Sequence, residues 1–161
     1  MSVISSTNIM MGASGAGAEL KDQEYGLKFI GSPKLERTPS SASNRKIFTF
    51  STWYKKGRMN QDSSIFGERS SNGNSRIIKR ISSNQLVFKE DNYSAFEYVT
   101  TAKFRDQMSW YHIVCSVDTT QATAADRVKI FINGNRITAF DTSTAATLNA
   151  DTRFNDTQIH T

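Results

Sequence analysis

The chain has 161 residues, of which 37% are hydrophobic and 11% aromatic, enough for one domain with a sizeable packed core. No apolar run approaches the roughly 18–20 residues that cross a bilayer, and the first residues lack a basic leader followed by a long apolar core. We therefore expect neither membrane insertion nor a signal peptide. The net charge of +5 favours acidic partners, but no helix-turn-helix, zinc-finger or RNP pattern accompanies it, so nucleic-acid binding is not expected.

Residues 1–24 differ in composition from the rest of the chain. Ser, Gly, Ala and Met dominate, with GASGAGA at the centre, and such a segment cannot bury enough apolar surface to fold alone. We expect a flexible N-terminal arm that is either a docking peptide or a disordered start. A docking arm would have to bury its apolar side chains against the partner, and those are Ile4, Ile9, Met10 and Met11.

From residue 25 onward, short strands alternate with turns rich in Ser, Asn and Gly. In 46–56 large apolar groups occupy both faces, with Phe48 and Phe50 on one side and Ile47 and Trp53 on the other, so this strand is expected to be central and covered on both sides. One helical turn is expected over 121–126. The strands are predicted at 25–31, 46–56, 63–68, 75–81, 84–90, 94–101, 108–118 and, as a hairpin, 127–140.

Two local features are expected to be structural. Asn133-Gly134 separates two runs of alternating apolar and polar residues and predicts a type I′ turn, because both central positions of that turn need positive φ. The single cysteine, Cys115, excludes an internal disulfide and cysteine-based zinc sites; within IVCSV it is expected to be a small buried apolar residue of a protein that folds in a reducing cytoplasm. Regularly spaced short strands of this kind are typical of an antiparallel sandwich or barrel.

Two separated stretches resemble the hallmarks of a known family. WYHIVCSVDTTQATAADRVKIFINGNRI (110–137) and FTFSTWYKKG (48–57) are similar to the concanavalin A-like, laminin-G type jelly roll, in particular to laminin-G-like domains of tailed (marine) bacteriophage virion proteins. The resemblance spans residues 25 to about 140 and implies an all-β, antiparallel jelly-roll β-sandwich. It implies structural roles for Trp53, Trp110, His112, Asn133 and Gly134.

The resemblance also sets an expectation for the end of the chain. Members of the family usually close the sandwich with a further strand pair after the point reached here by NDTQIHT. A sheet without that pair has an exposed edge that invites pairing with another chain. We therefore expect residues 141–161, or the N-terminal arm, to complete the sheet of a neighbour, so that the 25–161 jelly roll forms a homo-oligomer.

Catalysis is not expected. Relatives that hydrolyse glycans need two carboxylates on one strand face, whereas Glu90 and Asp91 are adjacent and Glu97 stands alone. The two histidines have no G-x-S-x-G context; His112 is expected to be structural and His160 unconstrained. No cofactor is expected. Relatives often bind calcium at a sandwich rim, and the candidate ligands for it here are Asp118 with Asp126, or Asp91 with Asn92.

We therefore expect a non-enzymatic virion structural protein, made in the host cytoplasm and bound to other capsid or tail proteins as a capsid decoration or appendage component. The alternative is a tail-fibre adhesin that binds host surface glycans. Sugars are usually held by an exposed aromatic ring with planar polar groups beside it. The residues that best fit this description are Asn92, Tyr93, Phe96, Glu97 and Tyr98.

Overall fold

The regular structure consists of ten β-strands and one 3-10 turn within the described residues. The computed structural model describes residues 34–57, 62–69, 75–80, 83–90 and 95–161, all in the unit Lys34–Thr161. The predicted arm (1–24) and the predicted strand 25–31 lie outside these ranges. The strands are β1 Ile47–Lys55, β2 Ser63–Arg69, β3 Ser75–Arg80, β4 Gln85–Glu90, β5 Phe96–Lys103, β6 Trp110–Asp118, β7 Val128–Ile132, β8 Asn135–Arg136, β9 Phe140–Thr144 and β10 Ile159–His160, and the 3-10 turn is Ala124–Asp126.

The strands form two antiparallel sheets. Their orders are β1-β6-β7-β8 in the four-stranded sheet and β10-β2-β3-β4-β5-β9 in the six-stranded sheet. Side chains from both sheets form one buried apolar cluster, which includes Phe88 of β4 and Ile113 of β6. The predicted all-β sandwich is therefore confirmed.

Alternate residues of the strands face the core. In β6 the odd positions Ile113, Cys115 and Val117 are buried while the residues between them are partly exposed, as expected for a strand with one face on the core. Cys115 is fully buried, as predicted. A row of phenylalanines with Phe154 among them fills the space between the sheets.

The Asn133-Gly134 turn has the predicted geometry. Both residues have positive φ, 51° and 80°, and Ile132 pairs with Asn135 across the turn. The returning strand β8 is only two residues long, shorter than predicted, because the chain then leaves for the other sheet and pairs with β5 as β9. Ile137 nevertheless packs against the core.

The prediction that residues 46–56 form a strand covered on both faces is wrong. Among the described residues β1 lies at one edge of the four-stranded sheet, with β6 as its neighbour. Phe48 and Phe50 pack on the core, but Ile47 and Trp53 are exposed to 49% and 60%. Apolar residues on both faces of a strand do not show whether a second layer covers the outer face.

The expectation that residues 141–161 cross to a neighbouring chain is also wrong. The segment folds onto its own sandwich: β9 pairs with β5, and β10 pairs with β2. Phe154 between them is buried in the core. The corresponding expectation for the N-terminal arm concerns residues outside the described ranges.

Candidate functional site

Two tryptophans are exposed on the outer face of the four-stranded sheet. Trp53 on β1 and Trp110 on β6 are exposed to 60% and 52%, so neither is covered as a core residue would be. The register pairs Trp53 with His112 and Lys55 with Trp110, which places all four side chains on one face. We call the group formed by Ser51, Trp53, Lys55, Trp110 and His112 the tryptophan surface.

His112 fixes the position of Trp53. The imidazole and indole rings stack with centroids 4.9 Å apart and planes 17° apart. A hydrogen bond of 2.9 Å joins His112 Nε2 to Ser51 Oγ, and the backbone N–H of His112 donates to Asn133 Oδ1 at 2.8 Å. Because the imidazole covers only one side of the indole, the other side of Trp53 is available to a ligand. His112 thus supports the Trp53 ring, and Asn133 holds the backbone of His112.

The loop before β6 positions Trp110. Asp106 accepts hydrogen bonds from the Met108 N–H at 2.8 Å and from the Ser109 hydroxyl. The hydrogen bond from Ser109, followed by that from Met108, lowers the pKa of the Asp106 carboxyl. These contacts close a tight turn that leads directly into β6. The backbone of Trp110 is therefore held by this turn and by its pairing with Lys55 of β1.

Lys55 supplies a positive charge beside the two tryptophans. Its side chain is exposed, and no carboxylate lies within ion-pair distance of it among the described residues. Two other cations of this sheet, Lys129 and Arg136, are within 3.3 and 3.7 Å of Asp126 and are therefore partly neutralised. The Asp106 carboxylate interacts with Lys55 electrostatically, but no ion pair is formed. The tryptophan surface thus combines aromatic faces with an exposed ammonium group.

The described rings of the predicted glycan-binding group are not exposed. Phe96 and Tyr98 are core residues, exposed to 1% and 5%, so the prediction that their rings stack on a sugar is wrong. Alternation along β5 turns both rings inward and leaves Glu97, which is partly exposed, on the opposite face. Burial also raises the pKa of Tyr98, although the nearby Arg127 opposes this shift. Asn92 and Tyr93 lie outside the described residues.

Two of the aspartates proposed for calcium are engaged by protein donors, and the third, Asp91, lies outside the described residues. Asp118 accepts hydrogen bonds from the Thr120 N–H and from the Thr120 and Gln121 side chains, and these bonds lower the pKa of its carboxyl. Asp126 is paired with Lys129 and Arg136. A cation at either carboxylate would have to replace these contacts. Within the described ranges no three His, Cys, Asp or Glu side chains are grouped as metal ligands.

Carboxylates in the described strands do not form the pair that glycan hydrolysis requires. No two of them alternate on one face of a strand. Glu90 is buried, and its Oε1 accepts the backbone N–H of Arg153 at 3.1 Å. Asp141 accepts hydrogen bonds from Thr101 and Gln85. These acids hold segments of the fold together.

His160 is constrained, contrary to the expectation from its position near the end of the sequence. It is 8% exposed, pairs with Glu68 through β10, and exchanges backbone hydrogen bonds of 2.8 and 2.9 Å with Arg37. Its ring stacks on Phe66. No local sequence signal predicts these contacts, because the partners Arg37, Phe66 and Glu68 are distant along the chain.

A small apolar cavity lies between side chains of the two sheets and is too small for an organic ligand. The cavity found there has a volume of about 10 Å³ and apolar walls that include Tyr54, Leu86 and Ile113. This is the volume of about one water molecule, without the polar groups that a water needs. The outer face of the four-stranded sheet is therefore the best candidate binding surface.

The described segments contain no helix with the length and hydropathy of a membrane span.

Sequence comparisons agree with the fold. A laminin-G family model, described as the concanavalin A-like lectin/glucanases superfamily, matches residues 32–157. No curated protein and no solved structure matches the chain significantly. The matched range contains every residue of the tryptophan surface.

Proposed function

The chain belongs to the concanavalin A-like lectin/glucanases superfamily, and on this premise we propose that it is a non-enzymatic recognition module of a tailed-phage virion. The superfamily assignment is compatible with a lectin-like or a structural module. The similarity of residues 48–57 and 110–137 to phage laminin-G-like domains supports the virion role. Synthesis would then take place in the host cytoplasm, followed by incorporation into particles.

The exposed tryptophan surface is the observation that carries the recognition role. Tryptophan is enriched where proteins bind partners, because a large apolar ring gains most from being covered. Here two such rings are exposed on neighbouring strands while the interior of the same domain is tightly packed. A protein that only fills space on a particle has no need to hold them in that position.

The arrangement of acids supports a non-enzymatic role. Glycan hydrolysis needs an acid and a second carboxylate at about 5–9.5 Å from it on either side of the scissile bond. No two carboxylates alternate on one face of a described strand; Asp118 caps a loop, and Glu90 is buried. The arrangement of acids therefore favours ligand binding over glycan hydrolysis.

A second role, capsid decoration, is favoured by the composition of residues 1–24. Their Ser-, Gly- and Ala-rich sequence, with Ile4, Ile9, Met10 and Met11 among its apolar residues, fits an arm that inserts into another virion protein. The chain would then assemble through this arm, as a homo-oligomer or with capsid or tail proteins. The two roles are compatible, because the arm and the tryptophan surface use different residues.

Immunogold labelling of purified particles tests the virion role. We expect label on particles, at the tail for an adhesin and at the head for a decoration protein. Replacing Met10 and Met11 with Asp should abolish the label while the isolated domain stays folded, and Ser5→Asp with Ser6→Asp is the matched control. Unlabelled wild-type particles would contradict the virion role, and normal labelling of the methionine variant would contradict docking through the arm.

A further inference from the structure

We propose that the tryptophan surface binds a carboxylated polysaccharide, with sugar rings stacked on Trp53 and Trp110 and a carboxylate paired with Lys55. The ligand class deepens the proposed recognition role and rests on it. Neither the match to the superfamily nor the residues predicted from the sequence places a ligand on this face of the sheet.

The two rings are placed to contact neighbouring sugars of one chain. Trp110 lies diagonally opposite Trp53, two residues along β6 from the partner of Trp53. Diagonal positions of this kind are about 7–8 Å apart, within reach of aromatic side chains. Two exposed rings at such positions on neighbouring strands can contact successive sugars of an extended polymer.

The surface is preorganised, so that little ordering is needed when a ligand binds. Trp53 is stacked on His112, and His112 is held by Ser51 and Asn133. Immobilising a flexible side chain costs about 0.5–1.5 kcal/mol on binding, and a ring that is already fixed avoids much of this cost. Rigid rings of this type are effective contacts for weak ligands.

The chemistry of the surface fits a sugar chain. A pyranose ring presents C–H bonds on its faces and hydroxyls at its edge. The faces fit the exposed side of Trp53, and the edge fits the Ser51 hydroxyl, whose oxygen can accept a further hydrogen bond.

Charge complementarity selects an acidic polymer. Lys55 lies opposite Trp110 in the strand register, and its side chain is exposed. Asp106 acts on it electrostatically, but no described carboxylate is within ion-pair distance, so the ammonium group can still pair with a ligand. A carboxylate on a sugar that stacks on Trp110 would lie within reach of this ammonium group. The net charge of +5 increases the encounter rate with a polyanion.

Affinity measurements on the full chain test the proposal. The probes are polygalacturonate, alginate and hyaluronate, with fully methyl-esterified polygalacturonate as the uncharged counterpart, at about 0.15 M salt. We expect at least one acidic polymer to bind, and Trp53→Ala and Trp110→Ala each to lower its affinity about tenfold, the effect of losing one stacking contact. Lys55→Gln should weaken acidic binding about two- to fivefold and leave the esterified polymer unaffected.

Two further variants separate stacking from folding and from general exposure. Trp53→Phe keeps an aromatic face and should retain most of the affinity, even if Trp53→Ala proves unstable in urea unfolding. Ile47→Ala removes an exposed apolar side chain on the same face of β1 and should bind as the wild type does.

Three results would overturn the proposal. They are no binding of the wild type to any of the three acidic polymers, acidic binding that survives the loss of both tryptophans, and equal affinity for the esterified polymer. Gold labelling of particles does not depend on these side chains. A labelled particle without polysaccharide binding would therefore reject the ligand and keep the virion role, and the reverse result would reject only the virion role.

Discussion

Short acidic side chains shape the loops around the four-stranded sheet. Asp118 ends β6 and accepts hydrogen bonds from the Thr120 N–H, at 3.0 Å, and from Gln121. Asp106 does the same before β6. Each carboxylate is stabilised in its charged form, so the pKa of each is lowered. Asp118, which the sequence suggests as a calcium ligand, thus has a turn-capping role in the fold.

Removing the charge of Asp118 should change how stability depends on pH. A lowered pKa in the folded state adds stability that is complete above the unfolded pKa of about 4 and is lost as the pH falls through the folded value. We expect Asp118→Asn to lose less stability than the wild type between about pH 4 and pH 2. Urea unfolding across this range measures it, with Asp151→Asn as the control for an exposed carboxylate. Identical slopes for Asp118→Asn and the wild type would contradict the capping role.

At the scale of elements, a buried lysine joins the two sheets. Lys56 directly follows β1, and its ammonium group donates to Asn84 Oδ1 at 2.6 Å and to the Phe104 carbonyl at 3.1 Å. Asn84 precedes β4, and Phe104 follows β5. The lysine thus ties the end of β1 to two segments of the six-stranded sheet, which explains why a lysine stands at this point in FTFSTWYKKG.

Replacing Lys56 with Met should destabilise the domain by about 2–3 kcal/mol, because two buried acceptors lose a charged donor while the aliphatic stem is kept. Urea unfolding followed by tryptophan fluorescence gives the free energy. Lys55→Met is a matched control, since the neighbouring lysine is exposed. An equal effect of the two substitutions would argue against the joining role of Lys56.

The elements differ in how well the sequence predicts them. β2 to β7 follow from alternation and turn residues, and the 3-10 turn falls within the predicted 121–126. β9 and β10 were not predicted, because FDTST and IH lack an apolar alternation and pair with distant strands. The candidate site was missed for a related reason: Trp53 and Phe96 both stand in alternating strands, and only the neighbouring layer decides which ring is buried.

At the scale of the whole domain, the segment between β9 and β10 closes the sandwich. Phe154 lies 5.6 Å from Phe48 of the four-stranded sheet and 5.7 Å from Phe88 of the six-stranded sheet, measured between ring centroids. Arg45 donates to the Thr152 carbonyl and fixes the same segment. Irregular chain thus supplies a part of the core that strand prediction overlooks.

Phe154→Ala should cost about 3–5 kcal/mol of folding free energy, as expected for truncating a fully buried aromatic ring between two layers. Leu148→Ala, in the same segment but largely exposed, should have little effect. Denaturant unfolding of both variants gives the comparison. A loss below about 1 kcal/mol for Phe154→Ala would show that this end of the sandwich is not closed by the segment.

The single thiol lies at the centre of this architecture. Cys115 is flanked by Phe50 of β1 and Ile130 of β7, and burial raises its pKa far above the usual range of a thiol. A modifying reagent can reach the sulfur only in molecules in which β6 has separated from the elements packed around it. The rate at which a thiol reagent modifies Cys115 therefore reports how often the core around this residue opens.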